Sequence, residues 1–178
     1  MRPGAITGLV GLLSLGGVHS AAAQSSSDQV AAVPGKALYF GVAGEGLISR
    51  SPGLAVAGVM ALEWKHLLIT AELAVGETFS GWDMFYAGAQ AGAVLLSRPD
   101  TPYFLAGIEY SRFVDFIGER DGRADRALTG EAGYVFRRPN GGRQVWLGIR
   151  GIVPIASHVY SDAAPQLPVA VLIVKLLL

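Results

Sequence analysis

The apolar residues of this sequence come in pieces of about ten residues, and this division most limits what the chain can fold into. A helix that spans a bilayer needs about 20 consecutive apolar residues. The longest candidate, residues 167–178, has 12 residues and contains Lys175. Yet 51% of the chain is hydrophobic and 16% is charged, whereas soluble domains are about 25% charged. Without a spanning helix, a closed β-barrel is the other fold that satisfies every backbone group in hydrocarbon.

Alternating apolar and polar residues predict eight strands. The predicted strands cover residues 36–45, 53–64, 66–77, 83–96, 102–112, 126–138, 143–154 and 167–178. Tight turns at 64–66, 97–100 and 139–142 alternate with longer connections at 76–83, 113–125 and 157–166, and a moderate one at 46–52. Asn140-Gly141 is a strong hairpin signal. An even strand number with short turns at one end is typical of bacterial outer-membrane barrels. The sequence therefore predicts an all-β fold, an eight-stranded antiparallel up-and-down transmembrane β-barrel over residues 36–178.

The first residues have the pattern of an export signal rather than of a strand. Arg2 is followed by an apolar stretch at 6–18, which is too short for a membrane anchor, and then by the small residues Ala21, Ala22 and Ala23. We expect residues 1–23 to be a removed signal peptide. Residues 24–35 begin with a polar stretch rich in Ser and end in Pro-Gly, which predicts a flexible N-terminal segment.

The charged residues of the predicted strands decide which face meets lipid. An arginine at the bilayer midplane on the lipid face costs about 2–4 kcal/mol, and a water-facing exterior would carry charge on about a quarter or more of its positions. We therefore expect the isolated mid-strand polar residues to point inward. The expected interior polar network is Glu72, Gln90, Glu109, Glu131, Arg150 and Lys175, with Thr70, Thr129 and Trp146 on the same face. The expected lipid-facing residues include Leu67, Ile69, Leu73, Val75, Phe104, Ala106, Ile108, Tyr110, Val145, Leu147, Ile149, Val153, Leu172, Val174, Leu176 and Leu178.

The expected interior carries more acids than bases. Glu63, Glu72, Glu109 and Glu131 face Arg150 and Lys175, a surplus of two negative charges that burial penalises unless an acid is protonated or a water intervenes. Glu63 lies near the periplasmic rim, where Arg137 could pair with it. Eight strands enclose a space about wide enough for side chains to fill, so we expect a plug of ion pairs with a structural role rather than an open pore.

The pattern of residues 36–178 resembles the small eight-stranded outer-membrane barrels of the OmpA and OmpX type. Barrels of this family typically hold an internal network of Glu, Lys and Arg. The resemblance implies that these places are taken by Glu72, Glu109, Glu131, Arg150 and Lys175, with Gln90 beside them. It also implies contact with periplasmic chaperones and the barrel-insertion machinery during biogenesis. Family chains usually end on an aromatic residue, whereas this sequence ends on Leu178.

A polar cluster in the predicted last external loop raises the question of catalysis. His158 lies beside Ser157, with Ser161 and Asp162 nearby, and a histidine can activate a hydroxyl for acyl transfer. Outer-membrane lipid A deacylases are eight-stranded barrels with a His-x-Ser arrangement, but the spacing from His158 to Ser161 is one residue longer and no Glu follows Glu131. A solvated polar loop is the favoured interpretation, and we expect no enzyme.

Composition excludes several other functions. The formal net charge is zero and no basic run suggests a nucleic-acid partner. There is no cysteine, His66 falls in a tight turn and His19 in the removed segment, so we expect no metal site and no cofactor.

The predicted loop at 113–125 is the expected contact surface outside the membrane. It mixes aromatic and charged residues, which would suit lipopolysaccharide or another external ligand. The residues expected to form this surface are Phe113, Phe116, Glu119, Arg120 and Arg123.

Taken together, the sequence predicts an exported outer-membrane barrel with a structural or surface-interaction role. Outer-membrane lipid and lipopolysaccharide are the expected partners. The alternatives are a lipid A deacylase-like hydrolase using His158 and Ser161, or a narrow pore for small solutes.

Overall fold

The computed structural model describes residues 37–96, 100–115, 120–137 and 143–178, and these ranges form eight strands. Their bounds are β1 (Ala37–Ile48), β2 (Gly53–Trp64), β3 (Leu67–Thr78), β4 (Asp83–Val94), β5 (Thr101–Asp115), β6 (Arg120–Arg137), β7 (Gln144–Val159) and β8 (Ala170–Leu177). The expected signal peptide, the N-terminal segment and the predicted Asn140-Gly141 turn lie outside the described residues.

The eight strands close into one barrel. Each strand pairs antiparallel with the next along the chain, and β8 pairs with β1 from Ile48↔Ala170 to Gly41↔Leu177. Closure leaves the paired length of the sheet without an unpaired edge. The prediction of an all-β, eight-stranded antiparallel barrel is confirmed.

Strand alternation places small side chains inside and large apolar ones outside. In β2 the buried positions include Ala55 and Ala57, whereas Leu54 is 62% exposed and Val56 is 50% exposed. Successive side chains of a strand point to opposite faces, so one sequence pattern supplies both a narrow interior and an apolar exterior. Lys65, in the tight turn between β2 and β3, has a φ of 56°, the left-handed conformation that two-residue hairpin turns require.

At the end of the barrel that the sequence analysis predicts to lie outside the membrane, here called the external end, four strands extend three or more residues beyond their predicted bounds, and β1 is one of them because it continues to Ile48. β5 continues to Asp115, β6 already begins at Arg120, and β7 continues to Val159. The residues predicted as a loop at 113–125 therefore form mostly an extended hairpin, with Phe113 paired to Arg123. The prediction was wrong because it took the end of the apolar alternation as the end of the strand. Backbone pairing continues where the side chains become charged.

Two register shifts bend these extended strands. Between β6 and β7 the register passes from Arg126↔Ala156 to Ala127↔Pro154, so Ile155 is an extra residue on β7. Between β5 and β6, Gly122 is the extra residue. Such bulges increase local twist and redirect the adjacent side chains.

Within the described ranges, no helix has the length and apolar character needed to cross a membrane.

Candidate functional site: the ionic core and the outer surface of the barrel

Arg150 lies at the centre of the barrel interior and is 2% exposed. It sits on β7 directly opposite Glu131 of β6. Its Nε and Nη2 donate to Oε2 of Glu131 at 3.1 and 2.9 Å, and its Nη2 also donates to Oε2 of Glu72 on β3. Its Nη1 donates to the hydroxyl of Tyr86 at 3.4 Å. The guanidinium therefore joins strands on opposite sides of the barrel.

Lys175 of β8 completes the bridge and is fully buried. Its Nζ lies 2.6 Å from Oε1 of Glu72 and 2.7 Å from Oε1 of Glu131. It also lies 5.5 Å from the centre of the Trp146 ring, within the range of a cation–π contact. The hydroxyl of Tyr103 donates to Oε1 of Glu131 at 2.7 Å. Glu72 and Glu131 are thus each shared by both buried cations.

Two further carboxylates approach Arg150 at longer range. Oε2 of Glu109 lies 3.6 Å from Nη1 of Arg150, and Oε1 of Glu45 lies 3.7 Å from the same atom. Four buried carboxylates therefore surround two buried cations in this cluster, which we call the ionic core: Glu45, Glu72, Glu109, Glu131, Arg150 and Lys175.

Gln90 lies beside the ionic core rather than in it. Its Nε2 donates to Oγ1 of Thr129 at 3.1 Å, and Thr70 is buried on the same side. A narrow void between these side chains and Arg150 leaves no space for a water molecule. The six predicted residues of the interior network thus all lie inside the barrel, and ion pairs link five of them into one cluster.

Buried apolar and aromatic side chains lie on both sides of the ionic core. Toward the external end they are Leu47, Met84, Phe113 and Leu167; toward the other end they are Leu68, Tyr103, Leu105, Trp146 and Leu177. The rings of Tyr103 and Trp146 are 5.0 Å apart, and the indole N–H donates to Gln144 at 2.7 Å. This close packing is what the sequence predicted for an interior filled by side chains.

The predicted pairing of Glu63 with Arg137 is confirmed. Nη2 of Arg137 lies 2.5 Å from Oε1 of Glu63 at the end of the barrel where the chain enters β1. Glu63 is fully buried, so Arg137 supplies the charge that a buried carboxylate needs.

The outer surface has the opposite chemistry. Every strand exposes at least one large apolar side chain, and several are more than half exposed, such as Leu73 (70%), Ile108 (63%) and Leu172 (54%). Monomeric soluble proteins rarely expose large contiguous apolar patches. The described strands instead carry an apolar surface around the whole barrel, which we call the apolar belt: Leu38, Phe40, Leu54, Val56, Met60, Leu67, Ile69, Leu73, Val75, Phe85, Phe104, Ile108, Leu128, Phe136, Leu147, Ile149, Leu172, Val174 and Leu176.

The residues predicted as an external contact surface are dispersed. Phe113 is fully buried and packs on the interior face of β5, which corrects its assignment to an exposed loop. Arg123 is half-buried and donates to Asp125 at 2.7 Å and to Oγ of Ser157 at 3.0 Å. Arg120 is the first residue of β6, and Phe116 and Glu119 lie outside the described residues. The error over Phe113 follows from the early strand end, since an alternating inward position was taken for a loop position.

The chain is similar to neisserial surface protein A. The crystal structure of that protein matches with a TM-score of 0.55 at 14% identity, over 80% of this chain and 93% of the other. A de novo designed transmembrane β-barrel aligns with a TM-score of 0.46 at 14% identity, over 82% of this chain and 95% of the other. No family model matches the chain, and no curated protein matches it significantly. The first likeness shows a shared barrel fold.

The structure does not assemble the predicted nucleophile and base. His158 lies on β7 rather than in a loop, and its ring contacts Tyr160 at 4.5 Å. Oγ of Ser161 accepts from the backbone of Ala163 at 3.3 Å, and Ser161 N donates to Gly122 O at 3.1 Å. Within the described ranges no hydrogen bond joins His158 to Ser161, and no group of three or more His, Cys, Asp or Glu side chains could hold a metal ion.

Glu45 is the member of the ionic core that sequence reasoning missed. The predicted first strand covered residues 36–45, so Glu45 fell at the end of that strand rather than at its middle, where the interior polar residues were expected. In the structure β1 continues to Ile48 and Glu45 is 3% exposed. The signal that could have found it is its alternation with Ala43 and Leu47, both buried on the same face.

Proposed function

We propose that this chain is a small outer-membrane β-barrel with a structural or surface-interaction role. The observation that carries the proposal is the inverted polarity of the barrel, with an ionic core inside and an apolar belt outside. In water this arrangement would expose apolar surface and bury charge, both unfavourably. In a bilayer the belt meets hydrocarbon, and the ion pairs lie away from lipid.

The predicted signal peptide at residues 1–23 supports export to the membrane that bacterial barrels occupy. During biogenesis, periplasmic chaperones and the barrel-insertion machinery are the proposed partners. Lipopolysaccharide and other outer-membrane lipids are the proposed surroundings of the mature protein.

The external ends of β5, β6 and β7 supply the surface that we propose for interactions. Arg112 and Asp121 form an exposed ion pair at 2.6 Å, and Arg123, Asp125 and Ser157 form a second polar group on the inward face of these strands, where Arg123 pairs with the buried Phe113. Paired charges on extended strands form a rigid polar surface, and rigid elements position binding groups more precisely than a flexible loop does.

We propose no catalytic role. The side chains of His158 and Ser161 have other contacts, and the well-ordered polar groups of the interior are ion pairs, which perturb charge without implying chemistry. Mass spectrometry of lipid A from cells with and without the protein tests this. The acyl pattern should be unchanged, and a lost acyl chain would overturn the assignment as a non-enzyme.

Fractionation and gel mobility test the proposal as a whole. The full chain should be produced in a Gram-negative host and recovered with the outer membrane after alkaline extraction. Unboiled and boiled samples should migrate differently, because a folded barrel resists detergent until heated. Recovery in the soluble periplasmic fraction, with no heat-dependent shift, would contradict the proposal.

A further inference from the structure

A concave groove crosses the outer wall of the barrel, with a volume of about 870 Å³. Its floor is made of small outward residues: Gly58, Ala71, Ala87 and Ala89. Strand register explains why they coincide. Ala71 of β3 lies opposite Ala89 of β4, and Ala87 lies opposite Leu73. Because neighbouring strands place small residues side by side, the apolar belt is indented here.

Large apolar side chains border this floor, and the residues that line the groove run from Phe40 of β1 to Ile155 of β7. Its borders include Phe40, Met60, Leu73, Ile108, Tyr110 and Ile155. Ligand pockets have volumes of about 300–1,000 Å³, so the groove has the size of a binding site. An elongated apolar group, such as an acyl chain, fits a groove that is long, open to the outside and lined by alkyl and aromatic side chains.

A cation lies at the external end of the groove. Arg126 of β6 is exposed, faces outward opposite Tyr110 of β5, and lines the groove. The bulge that makes Ile155 an extra residue occurs beside Arg126, and Ile155 also lines the groove. The bulge therefore lies at the end of the groove, where it can redirect the side chains beside it.

Arg126 differs from the other arginines near it. Arg112 is paired with Asp121 at 2.6 Å and Arg123 with Asp125 at 2.7 Å. Among the described residues, no carboxylate pairs with Arg126. An outward cation without an acid partner, at the end of an apolar groove, is complementary to a molecule that carries an anionic group next to hydrocarbon.

The depth of Arg126 in the membrane indicates which leaflet would supply a ligand to the groove. Arg126 is five residues from Glu131 of the ionic core along β6, toward the external end. At about 3.3 Å per residue and a tilt of about 45°, it lies about 12 Å above the core. The apolar band of such barrels is about 25 Å tall. With the ionic core at the midplane of that band, where the sequence pattern places the mid-strand ions, Arg126 lies at the outer edge, at the level of outer-leaflet headgroups.

We propose that this groove binds a phosphorylated glycolipid of the lipid A class. A phosphate group of the lipid contacts Arg126, and one of its acyl chains lies in the groove. The inference rests on the proposed outer-membrane location and adds a specific lipid site to it. Arginine forms short charge-assisted hydrogen bonds with phosphate, and the floor of small residues lets the chain lie against the barrel wall.

Native mass spectrometry of the purified full chain in neutral detergent tests the site. The titrants are bis-phosphorylated lipid A, its dephosphorylated form and phosphatidic acid. Arg126→Gln should weaken binding of phosphorylated lipid A roughly tenfold, and leave binding of the dephosphorylated form unchanged. Ala89→Leu should weaken binding of both forms, because it fills the groove.

Two matched variants control for general effects. Arg50→Gln removes an exposed arginine of the connection between β1 and β2, and Ala91→Leu enlarges an outward residue of β4; neither residue lines the groove. Both should bind like the unchanged chain. Equal losses in the control variants, or no loss in Arg126→Gln and Ala89→Leu, would overturn the proposal. Phosphatidic acid binding as tightly as lipid A would overturn the assignment to the glycolipid.

The outcome is separable from that of the proposed function. All variants should first show the heat-dependent gel shift of a folded barrel. If the unchanged chain shows no shift, the membrane-barrel proposal itself fails. If it shifts but binds no lipid A, the barrel proposal stands and the glycolipid site is refuted.

Discussion

Glu72 and Glu131 are held by the same two cations from opposite sides of the barrel. Arg150 bonds to Oε2 of each, and Lys175 pairs with Oε1 of each, at 2.6 and 2.7 Å. The strands β4 and β5 separate the two carboxylates along one arc of the wall, and four strands separate them along the other. The ionic core thus fastens the two halves of the barrel through its interior, in addition to the hydrogen bonds of the wall.

Replacing Arg150 by methionine should destabilise the barrel strongly. The substitution leaves Glu72 and Glu131 with Lys175 alone, and removing one partner of a buried ion pair costs about 3–5 kcal/mol. The measurement is urea-induced unfolding of the refolded protein in lipid vesicles, followed by gel mobility. Arg112→Met, at the exposed pair with Asp121, is the control and should change the unfolding midpoint little, because exposed ion pairs contribute little to stability. A loss as small in Arg150→Met would contradict the assigned role of the ionic core.

Replacing Glu45 by glutamine should affect the stability of the barrel differently from the same replacement at Glu131. Glu131 accepts hydrogen bonds from Arg150 and Tyr103, whereas the nearest approach of Glu45 to Arg150 is 3.7 Å. Four acids also exceed two bases in the core, so Glu45→Gln removes surplus charge and should be neutral or stabilising. Glu131→Gln should be destabilising. The urea midpoints of the two variants decide the matter, and equal losses would argue against a charge surplus at Glu45.

Tyr103 occupies the space above a glycine of β7. An added Cβ at Gly148 would collide with the hydroxyl of Tyr103, which donates to Glu131 at 2.7 Å. Gly148→Ala should therefore displace the ring and cost about 1.5–3 kcal/mol, the value of a hydrogen bond to a charged group. Gly130→Ala is the matched control, because nothing lies within 4 Å of a Cβ there. Similar unfolding midpoints for the two variants would show that Tyr103 does not depend on Gly148.

The purified barrel should not conduct ions. Buried side chains such as Phe113, Leu105 and Trp146 lie on both sides of the ionic core, and the void beside Arg150 has no space for water. Current through a planar bilayer that contains the folded protein measures this. Steady unitary steps would contradict a filled interior and favour the alternative of a narrow pore.

The sequence predicted those parts of the molecule that depend on alternation. Ile108 and Glu109 are adjacent, and one is 63% exposed while the other is 7% exposed, because side-chain direction in a strand follows position parity. The inward direction of the interior network could therefore be predicted, because a charged side chain that faced lipid at mid-membrane would be costly. The pairing of Glu63 with Arg137 followed in the same way, from their similar depth.

Strand ends and contact geometry could not be predicted in this way. Glu45 fell on the last residue of the predicted first strand and Phe113 on the first residue of a predicted loop, since both strands were predicted to end too early. In both cases backbone pairing with the neighbouring strand overrides the local signal, and pairing partners are not visible in a single segment. The groove beside Arg126 was equally invisible, since it depends on Ala71 and Ala89 meeting across two strands.

The central claim is that the apolar belt faces hydrocarbon, and spin labels test it most directly. The chain has no cysteine, so Leu73→Cys, Ile108→Cys and Leu172→Cys each give one labelling site, with Gln166→Cys in the last connection as the water-exposed control. In vesicles, labels at the first three sites should be relaxed by oxygen, which partitions into hydrocarbon, and shielded from a water-soluble nickel chelate. The Gln166 label should show the reverse. Nickel access at the three belt sites equal to that at Gln166 would contradict the account.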